Sequence, residues 1–180
     1  MTIIKSDDED RILDEIDHAK RNYDFVIVDL EGTANLAVAY AISRADLVII
    51  PSQRSSLDAG EAAKAVALVK RQSSVANRII HFSLLLTRTS AAIRTKSLKK
   101  MVQNIEARSL DIFETEIIDR EAFKAIFDHT KTLHQLSASH VSGLESARAN
   151  AESFAYEVIN KLKKNLKNKH TNLERVADYE

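Results

Sequence analysis

Short apolar runs alternate with amphipathic stretches along this chain. In residues 8–21, Ile12, Leu13 and Ile16 recur on one side of a 3.6-residue repeat, which predicts a helix. Asn22-Tyr23-Asp24 interrupts it. Phe25-Val26-Ile27-Val28 is then a continuous apolar, mostly β-branched run, the pattern of a strand covered on both faces. A second helix is expected over 34–44. Leu47-Val48-Ile49-Ile50 predicts another buried strand, stopped by Pro51, the only proline. After a polar loop, Asp58 suits a helix cap with Glu61 as its reciprocal partner, and Ala62, Ala65, Val66 and Val69 form the inner face.

Residues 79–86 predict a third strand, with Thr87-Arg88-Thr89-Ser90 as the loop at its end. A helix is expected over 93–108, with Leu98, Met101, Val102 and Ile105 inward. A fourth strand lies within 110–118. A short helix over 121–129 has Phe123, Ile126 and Phe127 as its apolar side. Residues 130–143 fit no single pattern, and a long helix runs from about 144 to 166 on Phe154, Val158, Ile159 and Leu162. Strands alternating with helices imply right-handed βαβ crossovers: an α/β fold, a mostly parallel sheet with helices on both faces. Residues 1–166 read as one domain without internal repeat, and 167–180 as a charged, frayed tail.

Composition narrows the chemistry. The chain has 180 residues, 44% hydrophobic and 29% charged, enough for a sizeable core. Lys+Arg and Asp+Glu both number 26, which excludes a globally basic nucleic-acid binder but not a local basic patch. There is no cysteine, hence no disulfide, thiolate metal site or cysteine nucleophile, in keeping with a cytoplasmic setting. The first ten residues turn acidic at once and lack the apolar run of a signal peptide, and no stretch is long and apolar enough for a membrane span. The three glycines, Gly32, Gly60 and Gly143, are followed by Thr33, Glu61 and Leu144. A P-loop needs Gly-Lys and a dinucleotide fingerprint needs three close glycines, so neither occurs. Gly-x-Ser-x-Gly is absent too.

In parallel sheets ligands bind at the carboxyl ends of the strands. That rule collects 29–33, 51–56, 87–90 and 119–121 as the candidate site. Val28-Asp29-Leu30-Glu31-Gly32 ends a strand in Asp, a fit for a magnesium-water ligand, and its glycine can bring a backbone N–H against a phosphate. The same residues also suit a plain strand-to-helix turn. Asp119-Arg120-Glu121 fits either a ligand- or partner-facing switch or a helix cap with first-turn charges. Arg94, Lys96, Lys99 and Lys100 form a stretch without acids that suits DNA phosphates or a solvated helix face. Lys161, Lys163, Lys164, Lys167 and Lys169 read as helix-end charges complementing the dipole. His129, His134 and His140 lack the spacing of a helical zinc site.

Three passages together resemble the ParA/MinD family of deviant-Walker ATPases, above all ParA-like partition proteins and their relative that assists T-DNA transfer. They are Tyr23-Asp24-Phe25-Val26-Ile27-Val28-Asp29-Leu30-Glu31-Gly32-Thr33, Ala45-Asp46-Leu47-Val48-Ile49-Ile50-Pro51, and Leu86-Thr87-Arg88-Thr89 with Glu121-Ala122-Phe123 beyond. The resemblance spans residues 8–166. It implies a partial P-loop NTPase fold of the SIMIBI type, lacking the P-loop strand that the family places between the strands matching 25–30 and 47–50. It implies ATP and Mg as cofactors. Asp29 becomes a magnesium ligand through water, and Gly32 with Thr33 a γ-phosphate-sensing turn. Thr87 and Arg88 become base-proximal residues, and Arg94, Lys96, Lys99 and Lys100 contacts to nonspecific DNA.

The implied role is DNA partition or transfer. Without P-loop lysines, this chain alone is not expected to hydrolyse ATP. The implied partners are DNA, a second copy, or a P-loop-bearing family member. Three further readings stay open: a non-enzymatic DNA-binding or dimerisation module, a subunit completed by a P-loop-bearing chain, and an inert gene fragment.

Overall fold

The computed structural model describes residues 2–6, 9–30, 35–53, 55–90 and 110–177. Their elements are α1 (Ile12–Asn22), α2 (Leu36–Arg44), β1 (Val48–Ser52), α3 (Ser56–Val75), β2 (Phe82–Thr89), β3 (Ile117–Ile118), α4 (Glu121–His129) and α5 (Leu144–Ala177). The strands form a three-stranded sheet in the order β1-β2-β3, with β2 and β3 parallel. The parallel α/β architecture expected from the alternation is present. The helix expected over 93–108 lies outside the described residues. The chain divides into two compact units, Met1–Val48 with Ala65–His81, and Ile49–Lys64 with Phe82–Glu180.

In the first unit α1 packs on α2. Ile12, Ile16 and Ala41 form the buried centre, flanked by Leu30, Ala37 and Tyr40. The Asn35 side chain caps α2 by accepting from the Val38 N–H at 2.9 Å. At the other end, Arg78 donates to the Ser43 and Ala45 carbonyls at 2.7 and 2.8 Å, satisfying acceptors that the helix terminus leaves over. Lys20 and Arg44 pair with Asp46 and Asp17 on the surface.

The largest departure from the sequence reading is here. Residues 25–28 do not form a doubly covered strand. They belong to no ladder, and their apolar side chains are open, with Phe25 64% and Ile27 92% exposed. A β-branched run becomes a strand only when neighbours take its backbone groups and faces, and no described segment does so.

In the second unit β2 is the central strand. Ser83, Leu84, Leu85 and Leu86 are all buried, the continuous run expected of a strand covered on both faces. The strand begins and ends about three residues later than the apolar pattern suggests. Among the described residues β1 lies at the sheet's edge, which explains why it continues through Pro51 rather than stopping before it.

α3 starts one turn before the expected cap. Ser55 is the N-cap: its Oγ accepts from the Asp58 N–H at 3.0 Å, and its hydroxyl donates to the Asp58 carboxylate. The box is thus Ser55-x-x-Asp58.

Residues 110–118 follow β2 for most of their length. Leu84 pairs with Ile112, then Thr87 with Ile117 and Thr89 with Ile118. Their other backbone groups go to α5 instead of a further strand. The Glu114 and Thr115 N–H groups donate to the Glu157 carboxylate, both at 2.8 Å. Asn150 accepts from the Ile118 N–H at 3.0 Å and donates to the Glu116 carbonyl at 2.8 Å. Lys161 reaches Asp111 at 2.7 Å and lies over the Phe113 ring. Phe154 meets Phe113 edge-on, with centroids 5.1 Å apart. Asn150, Phe154, Glu157 and Lys161 follow the i, i+4, i+7, i+11 spacing of one helix face.

The ambiguous stretch 130–143 is a series of turns whose apolar residues complete a small core. Ala122, Ala125, Leu136, Val141, Leu144 and Ala147 are buried together, with Phe123, Ile126 and Leu133 against them. Phe127, expected on the inner side of α4, is 82% exposed; the buried stripe runs through the two alanines instead. Gly143, at φ +68°, turns the chain into α5. Arg148 holds the turns by donating to the carbonyls of Leu133, His134 and Leu136.

Candidate functional site

The loops at the carboxyl end of the sheet carry the candidate chemistry. Pairing of β2 with β3 brings Thr87, Arg88 and Thr89 beside 117–119, and the Asp119 N–H donates to the Thr89 carbonyl at 2.8 Å. One group of expected site residues, Thr87, Arg88, Asp119, Arg120 and Glu121, is therefore a single structural neighbourhood. Thr87 pairs with Ile117 and Thr89 with Ile118, so Arg88 is the extra residue of a bulge. Its φ of 51° is in the left-handed region, and the side chain is exposed.

Asp119 and Glu121 both lie within reach of Lys124, at 3.7 and 3.6 Å. All three are open to solvent, so these pairs add little stability. Arg120 is the N-cap residue of α4 in extended conformation, with no side-chain cap bond. Among the described residues its Nε is buried without a hydrogen-bond partner, and so is the hydroxyl of Thr89, a residue only 1% exposed. Buried polar atoms are nearly always paired, so two orphans on adjoining strand ends mark this edge as locally unsatisfied. The sequence reading placed Thr89 in the loop without singling it out. Its signal is faint: a polar residue closing a buried apolar run.

Asp29 lies in the other compact unit, exposed, near the end of the unpaired segment 25–30. Gly32 and Thr33 lie outside the described residues, as do Arg94, Lys96, Lys99 and Lys100. Among the described residues no cluster of three or more His, Asp or Glu could hold a metal ion. A single exposed carboxylate is a poor magnesium site, because that ion wants several oxygen ligands in near-octahedral order. The described residues of this set supply only that one carboxylate for a magnesium–nucleotide complex.

A parallel sheet surrounded by helices is consistent with an α/β fold of the P-loop NTPase-like kind. Comparison with known proteins narrows this to a family. The family model described as "VirC1 protein" matches residues 3–169, and the chain belongs to that family. It is also 34% identical over 137 residues to "Protein ParA" of Rhizobium radiobacter, an alignment covering 76% of this chain and 61% of that protein. The chain thus spans less than two thirds of its relative's length. The ParA-like resemblance read from the three motif passages is confirmed. No helix among the described residues is long and apolar enough to cross a membrane.

Proposed function

We propose that this chain acts in DNA partition or transfer as a cytoplasmic ParA-like protein. Its nucleotide site, in this reading, is completed by a P-loop-bearing polypeptide segment outside these 180 residues. The observation that carries the second part is the segment 25–30. It has the composition of a doubly covered parallel strand, yet residues 25–29 are exposed and pair with no described strand, and only Leu30 packs on the core of the first unit. Such a segment lacks a neighbouring strand on which to bury itself. Asp29 near its end is the residue that the family resemblance assigns to magnesium. The sequence has no P-loop and the described residues do not form a magnesium site, so no hydrolytic step is assigned to this chain alone.

Co-purification with a full-length P-loop-bearing ParA relative tests the idea. Association that is strengthened by ATP and magnesium, and lost in Ile27→Asp, is the expected result. Failure of the native chain to associate at micromolar concentration sinks the completion model.

A further inference from the structure

The end of β2 is out of step with β3. From Thr87 opposite Ile117 to Thr89 opposite Ile118, β2 advances two residues while β3 advances one. Arg88 is the surplus residue, and its φ is 51°. Bulges are rare in parallel pairs, and a left-handed bulge residue is normally glycine. A side chain in that conformation crowds the following carbonyl oxygen. Asn77 and Thr130 also have positive φ, each with a local reason. Asn is a residue type that tolerates the left-handed region. Thr130 closes α4 as a left-handed cap, its N–H bonded to the Ile126 and Phe127 carbonyls. Of the three, only Arg88 stands inside a strand.

The two strands are held unequally. β3 is gripped from outside the sheet, because Asn150 of α5 binds the Ile118 N–H and the Glu116 carbonyl. The end of β2 is tied to it by the Thr89 carbonyl, which accepts from the Asp119 N–H at 2.8 Å. The Thr89 hydroxyl and the Arg120 Nε are buried without a partner among the described residues. Unpaired buried polar atoms weaken the arrangement that contains them. Backbone strain and both orphaned atoms therefore fall on one short edge, and the less firmly held strand carries the strain.

We propose that the end of β2 is a two-register switch. One register is the bulged pairing just described. In the other, Arg88 takes extended backbone, the bulge is gone, and Thr89 advances by one strand residue, about 3.3 Å, to stand opposite Asp119. Strand alternation then puts Arg88 on the face of Leu84 and Leu86, and keeps Thr89 on the face of Ser83 and Leu85. The left-handed strain disappears, and the Thr89 hydroxyl leaves the enclosed position in which it has no partner. The opposing cost is a guanidinium, exposed in the bulged register, brought onto an apolar face. A contact at Arg88 or at 119–121 that differs between the registers biases the switch, and by linkage that bias is felt at the other segment. The loop after β2 and the start of α4 are thereby coupled through a slip of one residue.

The test is backbone-amide NMR of the full chain. Relaxation dispersion detects exchange, and the scalar coupling across the hydrogen bond from the Asp119 N–H identifies its acceptor and so the register. Arg88→Gly removes the left-handed penalty, whereas the β-branched side chain of Arg88→Val raises it. In the native chain, microsecond-to-millisecond exchange confined to 87–90 and 117–120 is expected. Arg88→Gly should shift the ratio of registers about tenfold toward the bulged one and quench the exchange. Arg88→Val should move the Asp119 coupling off the Thr89 carbonyl.

An Asp119–Thr89 coupling that persists in Arg88→Val, with no exchange in any of the three proteins, overturns the switch and leaves a fixed bulge. Exchange of equal size throughout the sheet, unaltered by Arg88→Gly, also overturns it, because the domain then opens as a whole. Should Arg88→Val fail to fold, the other two proteins decide: exchange that glycine quenches supports the switch, and a flat profile in both overturns it.

Discussion

Asn150 offers a sharp test of how the sheet is finished. Its amide stands where a further strand would stand, giving one acceptor to the Ile118 N–H and one donor to the Glu116 carbonyl. Asn150→Ala removes both partners and leaves two half-buried backbone groups. A buried orphan costs about 1–3 kcal/mol, and partial exposure lets water take up part of that. The expected loss is about 2 kcal/mol for the pair. For a chain of this size that corresponds to roughly 4–8 °C in Tm.

Asn150→Asp separates the two bonds. It keeps the acceptor for Ile118 but sets a carboxylate against the Glu116 carbonyl, so it should be at least as damaging as alanine. Urea denaturation gives the free energies, and amide exchange reads Ile118 directly. Its protection should drop in both variants if a half-bonded bracket is unstable, and in alanine alone if the acceptor acts by itself. A loss below about 0.5 kcal/mol in alanine, with Ile118 exchange unchanged, would refute the view that this side chain substitutes for a strand.

Arg148→Ala should cost about 2–4 kcal/mol and loosen residues 130–143 selectively, because three carbonyls lose their donor at once; limited proteolysis in that stretch reports it. Asp111→Ala should cost about 2–3 kcal/mol in urea denaturation, since it strands the fully buried Ser83 hydroxyl and the mostly covered Lys161 ammonium together; Lys161→Met, which keeps packing on Phe113, should be milder. Ile27→Asp should leave the melting temperature of the isolated chain within about 1 °C, because an exposed side chain off the sheet stabilises little, while abolishing association with a P-loop-bearing partner. A large destabilisation by Ile27→Asp would show that residues 25–28, and not Leu30 alone, are docked within the chain.

Local pattern carried most of the architecture. α4 was legible to the residue, since Glu121 and His129 bound a compact amphipathic repeat. α1 and α2 were legible within a few residues. What failed were features decided by distant partners. The run 25–28 reads as a strand because its side chains suit one, but strand formation needs neighbouring backbone that the described residues do not provide. The fourth strand shrank to two residues because α5, far along the chain, takes the hydrogen bonds of 114–116. The cap falls on Ser55, inside the stretch read as a polar loop, one turn before the expected Asp58.

The site was less legible than the fold. Thr87, Arg88 and 119–121 come together as the carboxyl-end rule expects, whereas Asp29 belongs to the other unit. The orphaned Thr89 hydroxyl is visible only once burial is known.

The fastening of 110–118 by α5 also governs how this protein can fail. A β-sheet aggregates through an open edge, where unpaired amides and carbonyls recruit a second molecule. Along 114–118 those groups are already engaged by Glu157 and Asn150, so that border offers little purchase to a growing fibril. The exposed apolar run 25–28 has no such guard among the described residues. When the protein is concentrated without a partner, aggregation should nucleate there, and a peptide of that segment should seed it while a peptide of 110–118 should not.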